Sequence, residues 1–382
     1  MPHPNYIKQH IRTIPALLRE YAETMDQRVQ DALEAPLLKQ TQMVVMTGCG
    51  YSYAAACNGA EFIEKIAQIP ARALYSVDAS RHQSLNVLPQ GKQTLFIGVS
   101  GSGVVARVAE GLLRFREQGA YAVAFTADRQ SVCARAAETR VDLSAPPVCI
   151  ERSLPLRSYA VTLLAFCAVA WRIAVLQGKR TEAERRTFYK ELYAAADGLQ
   201  QALPQVEKQM EGFVRQVHRT ASVYEWVGSG SGFVSAWLGR QELVGQAGLF
   251  GVECSAEDWL HSTFFAARPE TIPTLLLSPP NSPARSRLEE VERSMAYLRR
   301  PLCVIGQSVC KEASVVELPY PANELLNPFL ELAPVSLLAG EVCEQIGEEY
   351  SRNFRDRWDF SKGGAATANS EIVVLGSGQR SR

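Results

Sequence analysis

Residues 43–48, MVVMTG, form an apolar run that stops at a glycine, and the CGYSYAAACNGAEFIEKIAQ that follows has apolar positions at helical spacing. That pattern predicts strand, glycine turn and helix in succession. It recurs along the chain. ARALYSVDAS (71–80) reads as a second strand, QTLFIGVS (93–100) as a third, VVARVAEGLLRFREQG as a helix closed by its glycine, and AYAVAFTAD as a fourth strand. Buried strands alternating with amphipathic helices predict an α/β fold. Its parallel sheet is doubly wound, covered on both faces, and takes ligands outside the carboxyl ends of its strands.

From about 180 to 218 the sequence turns charged and helical, which predicts a linker helix pair, and then the grammar restarts. VYEWVGSGSGFVSAWLGRQELVGQ (223–246) repeats the arrangement strand, two glycines spaced by one residue, serine, helix. Strands are predicted at IPTLLLSPP (272–280) and PLCVIG (301–306), with a helix over about 284–298. The recurrence of the turn at Gly48 and Gly50 as a second one at Gly228 and Gly230 predicts an internal duplication of one α/β unit. The expected division is N-terminal helices plus the first unit over 1–198, a linker helix plus the second over 199–350, and a polar tail over 351–382.

Composition narrows the classes. The chain has 382 residues, 47% of them hydrophobic, enough for two domains with their own cores. Forty basic and forty acidic residues cancel, so no global field draws the chain to nucleic acid or to an anionic membrane. The nine cysteines are odd in number, scattered and without C-x-x-C pairing, as in a reduced, cytoplasmic protein without a zinc or redox site. The apolar run 160–176 is interrupted by Arg172 and is expected to be a core helix, not a membrane span. No secretory leader pattern opens the chain.

The glycine turns leave backbone N–H groups accessible at a strand-to-helix junction, which suits an anion. Both miss the full G-x-G-x-x-G of dinucleotide sites. Asp78, the nearest candidate for a ribose contact, stands farther beyond Gly50 than the spacing of roughly 20 residues that such sites use. A nicotinamide cofactor therefore fits poorly, and no cofactor or metal is expected. A monophosphate fits better, because Ser52 follows the first strand while Ser100 and Ser102 follow the third. Simple helix capping by these serines is the plainer alternative.

TGCGYSYAAA, IGVSGSGVV and the returning GSGSG resemble the sugar isomerase (SIS) domain. The tandem resembles the isomerase half of glucosamine-6-phosphate synthase and the fructosamine-6-phosphate deglycases, over about residues 25–365. Stretch 151-ERSLPLRSYAVTLLA-165 is similar to the segment opening the last helix of the family's first domain, and 256-AEDWLHSTFF-265 is similar to its E-[FL]-x-H-G-P block. The resemblance implies a sugar 6-phosphate held by Ser52, Ser100, Gly101, Ser102 and Gly103, with Gly50, Tyr51, Glu151 and Ser158 around the same pocket. A threonine common after the second loop is replaced by Val105. The synthase's glutaminase domain has an N-terminal cysteine nucleophile; Pro2 stands in that place, so glutamine-dependent amination is not expected.

The chemistry implied is ring opening followed by proton transfer between C1 and C2, which requires groups poised between protonation states. His261 falls where the family places its ring-opening imidazole. The family's glutamate, on the second domain's first helix, is here Gly245, which leaves Glu242, one turn away, or else Glu253 or Glu257. Lys362 in FSKGG lies nearest the family's tail lysine. The expectation is a metal-free isomerase or sugar-amine-6-phosphate deglycase, working as a homodimer with sites at the interface. The rival is a sugar-phosphate sensor that has lost its chemistry and acts on a protein partner, the stretch before the first strand being too short for a DNA-binding domain.

Overall fold

The structure, a computed structural model, describes residues 4–348 and 370–373. In chain order its elements are α1 (Tyr6–Ile11), α2 (Ile14–Ala32), α3 (Ala35–Gln40), β1 (Met43–Gly48), α4 (Tyr51–Phe62), β2 (Ala71–Tyr75), β3 (Thr94–Val99), α5 (Ala106–Glu117), β4 (Tyr121–Thr126), α6 (Val132–Ala136), β5 (Thr139–Asp142), α7 (Leu156–Leu176) and α8 (Glu182–Val217). They continue with β6 (Tyr224–Gly228), α9 (Ser231–Glu242), β7 (Gly251–Ser255), α10 (Ala256–His261), β8 (Thr274–Ser278), α11 (Arg285–Tyr297), β9 (Leu302–Gly306), β10 (Ser314–Val316) and α12 (Asn327–Ile346).

Two five-stranded sheets form, in the orders β2-β1-β3-β4-β5 and β10-β9-β8-β6-β7. Every pairing is parallel. Matching β6 to β1, β7 to β2 and β8 to β3 superposes one order on the other, so the duplication legible in the glycine turns extends to the whole strand arrangement. The central strands β1, β3, β6, β8 and β9 are buried along their full length. That is why they read as unbroken apolar runs without alternation.

The chain divides into two compact units that do not follow it linearly. Among the described residues, the first-sheet unit takes Glu20–Pro147, Arg157–Lys190 and residues 370–373, and the second-sheet unit takes the chain up to Arg19, Val148–Leu156 and Glu191–Glu348. The division expected near residue 198 falls inside α8. That helix is a single 36-residue element, Pro204 included, where a helix pair was expected. Its continuity follows from an apolar stripe at spacings of three and four, with Leu192, Ala196, Leu199, Leu203, Val206, Met210, Phe213 and Val217 all buried. The 71–80 stretch also differs from expectation. β2 stops at Tyr75 and a π turn covers Asp78–His82, because these polar residues pack against α5, where Arg81 reaches the Glu110 carboxylate at 3.3 Å.

The first core centres on Phe96 and Phe115, stacked at 3.9 Å between ring centroids, with Val45, Val108 and Leu112 around them. Truncating either ring to alanine would cost about 3–5 kcal/mol. The second gathers Trp259, Leu276, Leu288, Val291 and Val304. Two stretches, Leu156–Leu176 and Glu324–Ile346, are long and apolar enough in composition to cross a membrane, yet 83% and 100% of their most apolar windows are buried inside the fold. They are core helices by packing.

Candidate functional site

β1 and β3 lie side by side, with Thr47 opposite Gly98, and the chain leaves β1 toward β2 on one side and β3 toward β4 on the other. This is the topological switch point, where an open parallel sheet leaves a crevice beyond its carboxyl ends. The turns bordering it are Cys49–Gly50 before α4 and Ser100–Val105 before α5. The sequence therefore places both serine-bearing turns at the one edge where a ligand crevice is expected.

The first turn is shaped by Gly50, at φ 55° and ψ −128°, a conformation that strains any residue with a β-carbon. α4 begins at once, with Ser52 N donating to Cys49 O at 3.1 Å. The Ser52 side chain is half-buried, and its hydroxyl makes no hydrogen bond among the described residues. Cys49 Sγ lies 2.9 Å from Ser76 Oγ, and burial raises its thiol pKa despite that bond. Tyr51 packs edge-on against Tyr159 at 6.3 Å, and Tyr159 OH accepts from Asn58 Nδ2 at 2.9 Å. These contacts tie the start of α4 to the start of α7, beside the exposed Ser158.

The second turn is clamped from three sides. Ser100 N donates to Phe125 O at 3.0 Å, Ala127 N to Gly101 O at 3.0 Å, and Cys133 N to Gly103 O at 3.0 Å. Gly103 has φ 72°, and a β-carbon there would lie 2.1 Å from Ser131 Oγ, so only glycine fits. What the clamps leave over is the donor set. The amides of Gly101 and Ser102 and the exposed Ser102 hydroxyl donate to no group among the described residues. α5 has no side-chain cap at Val105. Capping therefore does not account for Ser102. Ser100 differs in burial: it is 2% exposed, and its hydroxyl has no hydrogen-bond partner among the described residues.

The second sheet has the same switch point between β6 and β8 but not the same donors. Gly230, at φ 57° and ψ −131°, repeats Gly50, while Gly232 stands where Ser52 would be. After β8 come Pro279 and Pro280, which carry no N–H. Arg285 then covers the strand tips, its guanidinium donating to the Ser278 hydroxyl and, at 2.7 Å, to Gln307 O.

The remaining candidates belong to the second-sheet unit. His261 is the exposed last residue of α10, a helix capped by Ser255, whose hydroxyl accepts from Asp258 N at 3.2 Å. Trp259, two residues back and thus on the opposite helix face, is fully buried and donates Nε1–H to Glu225 Oε2 at 3.0 Å. Glu225 also accepts from Thr274 Oγ1 at 2.9 Å and from the Arg300 guanidinium. Burial raises the Glu225 carboxyl against the pull of Arg300. This buried ion pair anchors the helix that presents His261.

The carboxylate candidates differ in their surroundings. Glu242 is only 1% exposed and accepts from Gln246 Nε2 at 3.2 Å, whereas Gly245 is exposed in the π turn after α9. Glu253 is bound bidentately by Arg240 at 2.8 and 3.1 Å, and Glu257 by Arg287 at 2.7 and 2.9 Å. Glu151, exposed, accepts from Tyr6 OH at 2.7 Å and lies in the second-sheet unit. Lys362 lies outside the described residues. Among the described residues no group of three or more His, Cys, Asp or Glu side chains gathers.

Sequence reasoning missed Tyr159 and the Glu225–Arg300–Trp259 cluster. A tryptophan two residues before the candidate histidine was a readable signal for an inward anchor, but its acidic partner lies 34 positions away in sequence.

Residues 37–171 match the model of the SIS domain. The chain is 23% identical over 363 residues to the glutamine–fructose-6-phosphate aminotransferase (isomerizing) of Gloeobacter violaceus, covering 90% of this chain and 56% of that protein. It thus spans about half the length of the curated relatives it matches. In fold it is similar to the C-terminal domain of glucosamine-fructose-6-phosphate aminotransferase from Francisella tularensis, with a TM-score of 0.78, 16% identity, and coverage of 92% of this chain and 99% of that one. It is likewise similar to tagatose-6-phosphate ketose/aldose isomerase from Escherichia coli, with a TM-score of 0.69, 14% identity and full coverage of both chains.

Proposed function

We propose that this SIS-domain protein, similar in fold to phosphosugar isomerases, binds a 6-phosphorylated ketose or sugar-amine in its first-sheet unit and acts on the C1–C2 end of that sugar. The observation that carries the reading is the set of uncommitted donors at the β1/β3 switch point: the amides of Gly101 and Ser102 and the hydroxyls of Ser52 and Ser102. A phosphate monoester offers three terminal oxygens and requires several donors in a concave backbone, without a metal. Gly50 and Gly103 let the backbone approach it closely.

For the chemistry, His261 is the exposed imidazole in the block that resembles the family's ring-opening segment. In the proposed mechanism its imidazole moves the proton between the ring oxygen and the anomeric hydroxyl, and a carboxylate then carries a proton between C1 and C2. Deglycation of a sugar-amine 6-phosphate and free aldose–ketose isomerisation share both steps. The proposed assembly is a homodimer in which a second copy completes each site, and the proposed location is the cytoplasm, which suits nine free thiols.

A second reading, a phosphosugar-binding sensor without turnover, is favoured by one observation. Glu242 is buried, while Glu253 and Glu257 are committed to arginines. Incubating the purified chain with fructose 6-phosphate, tagatose 6-phosphate and fructosamine 6-phosphates, followed by NMR, separates the readings. Turnover that His261→Ala removes while leaving calorimetric binding intact supports the enzyme. Binding with no turnover supports the sensor, and no binding to any of them rejects both.

A further inference from the structure

The amino ends of β9 and β10, on the edge opposite the glycine turn, border a cavity that the sugar-phosphate reading does not use. It has a volume of about 380 Å³, is open to solvent, and is bordered by the ends of α8 and α11. Small-molecule sites occupy about 300–1,000 Å³. Phe213, Val217 and Leu302, each nearly buried, show only their edges as its apolar side, and Gln216, Arg299 and Glu312 supply polar groups.

Arg299 is the informative residue. α11 ends with Arg299 N donating to Ala296 O at 2.9 Å and Arg300 N to Met295 O at 3.1 Å; α5 ends with Gly119 N donating to Arg116 O at 2.9 Å and Ala120 N to Phe115 O at 3.1 Å. This two-bond helix ending requires a left-handed residue between its bonds. The first unit uses glycine there, at φ 87°, and the second uses arginine, at φ 57°. A β-carbon is disfavoured in that region. Glycine would serve the turn better, so the turn does not explain the arginine.

Charge narrows what the side chain is for. The neighbouring Arg300 also lines the cavity, but its guanidinium sits on Glu225 inside the core. Arg299 and Glu312 are exposed, and neither forms an ion pair among the described residues. The cavity thus offers one uncommitted charge of each sign beside these apolar edges. The geometry points to a binding site for a small zwitterion with an apolar side chain, an α-amino acid. Its carboxylate meets Arg299, its ammonium meets Glu312, and its side chain rests on Phe213 and Leu302.

Calorimetric titration of the full chain with L-leucine and L-phenylalanine tests this, with 4-methylpentanoate and isopentylamine as single-charge comparators. The amino acids are expected to bind at least tenfold more tightly than either comparator. Arg299→Gly is expected to weaken leucine binding at least tenfold while raising the thermal midpoint, because it relieves the turn. A purely structural arginine would not produce those opposite effects. Glu312→Gln should weaken leucine but not 4-methylpentanoate. Absence of heat with both amino acids at millimolar concentration, leucine binding unchanged in Arg299→Gly, or 4-methylpentanoate binding as tightly as leucine would overturn the assignment.

Discussion

Gly50 and Gly230 hold the same backbone conformation, φ 55° and ψ −128° against φ 57° and ψ −131°, each immediately before the first helix of its repeat. No atom lies within 4 Å of where a β-carbon would stand at either position, so a substitution there meets strain without a clash. Gly50→Ala and Gly230→Ala should each lower stability by about 1–3 kcal/mol. Only Gly50→Ala should also weaken sugar-phosphate binding, since only the first turn retains its donors. Urea denaturation together with calorimetry on both variants decides it; equal loss of binding in the two would contradict the assignment.

The three serines should separate by their exposure. Ser52→Ala and Ser102→Ala should each weaken binding of a sugar 6-phosphate by about tenfold, the equivalent of roughly 1.4 kcal/mol for one lost charge-assisted bond, with stability unchanged. Ser100→Ala should leave stability nearly unchanged, because its buried hydroxyl has no hydrogen bond among the described residues to lose. Affinity loss confined to Ser100→Ala would reverse this picture.

Breaking the Glu225–Arg300 pair should be severe and repairing it mild. Both side chains have no exposure, so Glu225→Ala leaves an unpaired buried guanidinium and should cost about 3–5 kcal/mol. A Glu225→Leu, Arg300→Met double variant should regain most of that. Guanidinium titrations of the single and double variants measure the difference, and a double variant no better than the single would show that the pair is not the source of the loss.

Glu341 gives stability a pH dependence of known sign. It is buried on α12, faces Lys8 at 2.6 Å with Glu344 and Glu211 nearby, and burial lifts its carboxyl from 4.5 to about 7 in spite of Lys8. The folded state therefore holds a proton that the unfolded chain has lost over roughly pH 4.5–7, and stability falls as pH rises through that window. The fall should not exceed about 3 kcal/mol. Comparing wild type with Glu341→Gln from pH 5 to 8 isolates it: the stability of wild type relative to the variant should decline with pH, and a rise would contradict the sign.

Local grammar makes most of the fold readable. A strand, its glycine turn and its helix are contiguous, so MVVMTGCG and YEWVGSGS announce the duplication without any long-range information. What stays hidden depends on partners far apart in the chain. The commitment of Glu257 is set by Arg287, 30 residues on. The grouping of the chain up to Arg19 with the second sheet depends on contacts such as Lys8 with Glu341 and Arg12 with Glu207 at 2.7 Å, which periodicity does not encode. α8 departs from its local signals for a related reason: its proline and glycine suggest a break, but a long apolar stripe overrides them.

The prolines after β8 and the arginine lying over its tip have a bearing on stoichiometry. The second crevice lacks amides at Pro279 and Pro280, and the Arg285 guanidinium lies over its strand tips. A titration with sugar phosphate should therefore reach its endpoint at one molar equivalent per polypeptide, and the second half is at liberty to drift toward other duties.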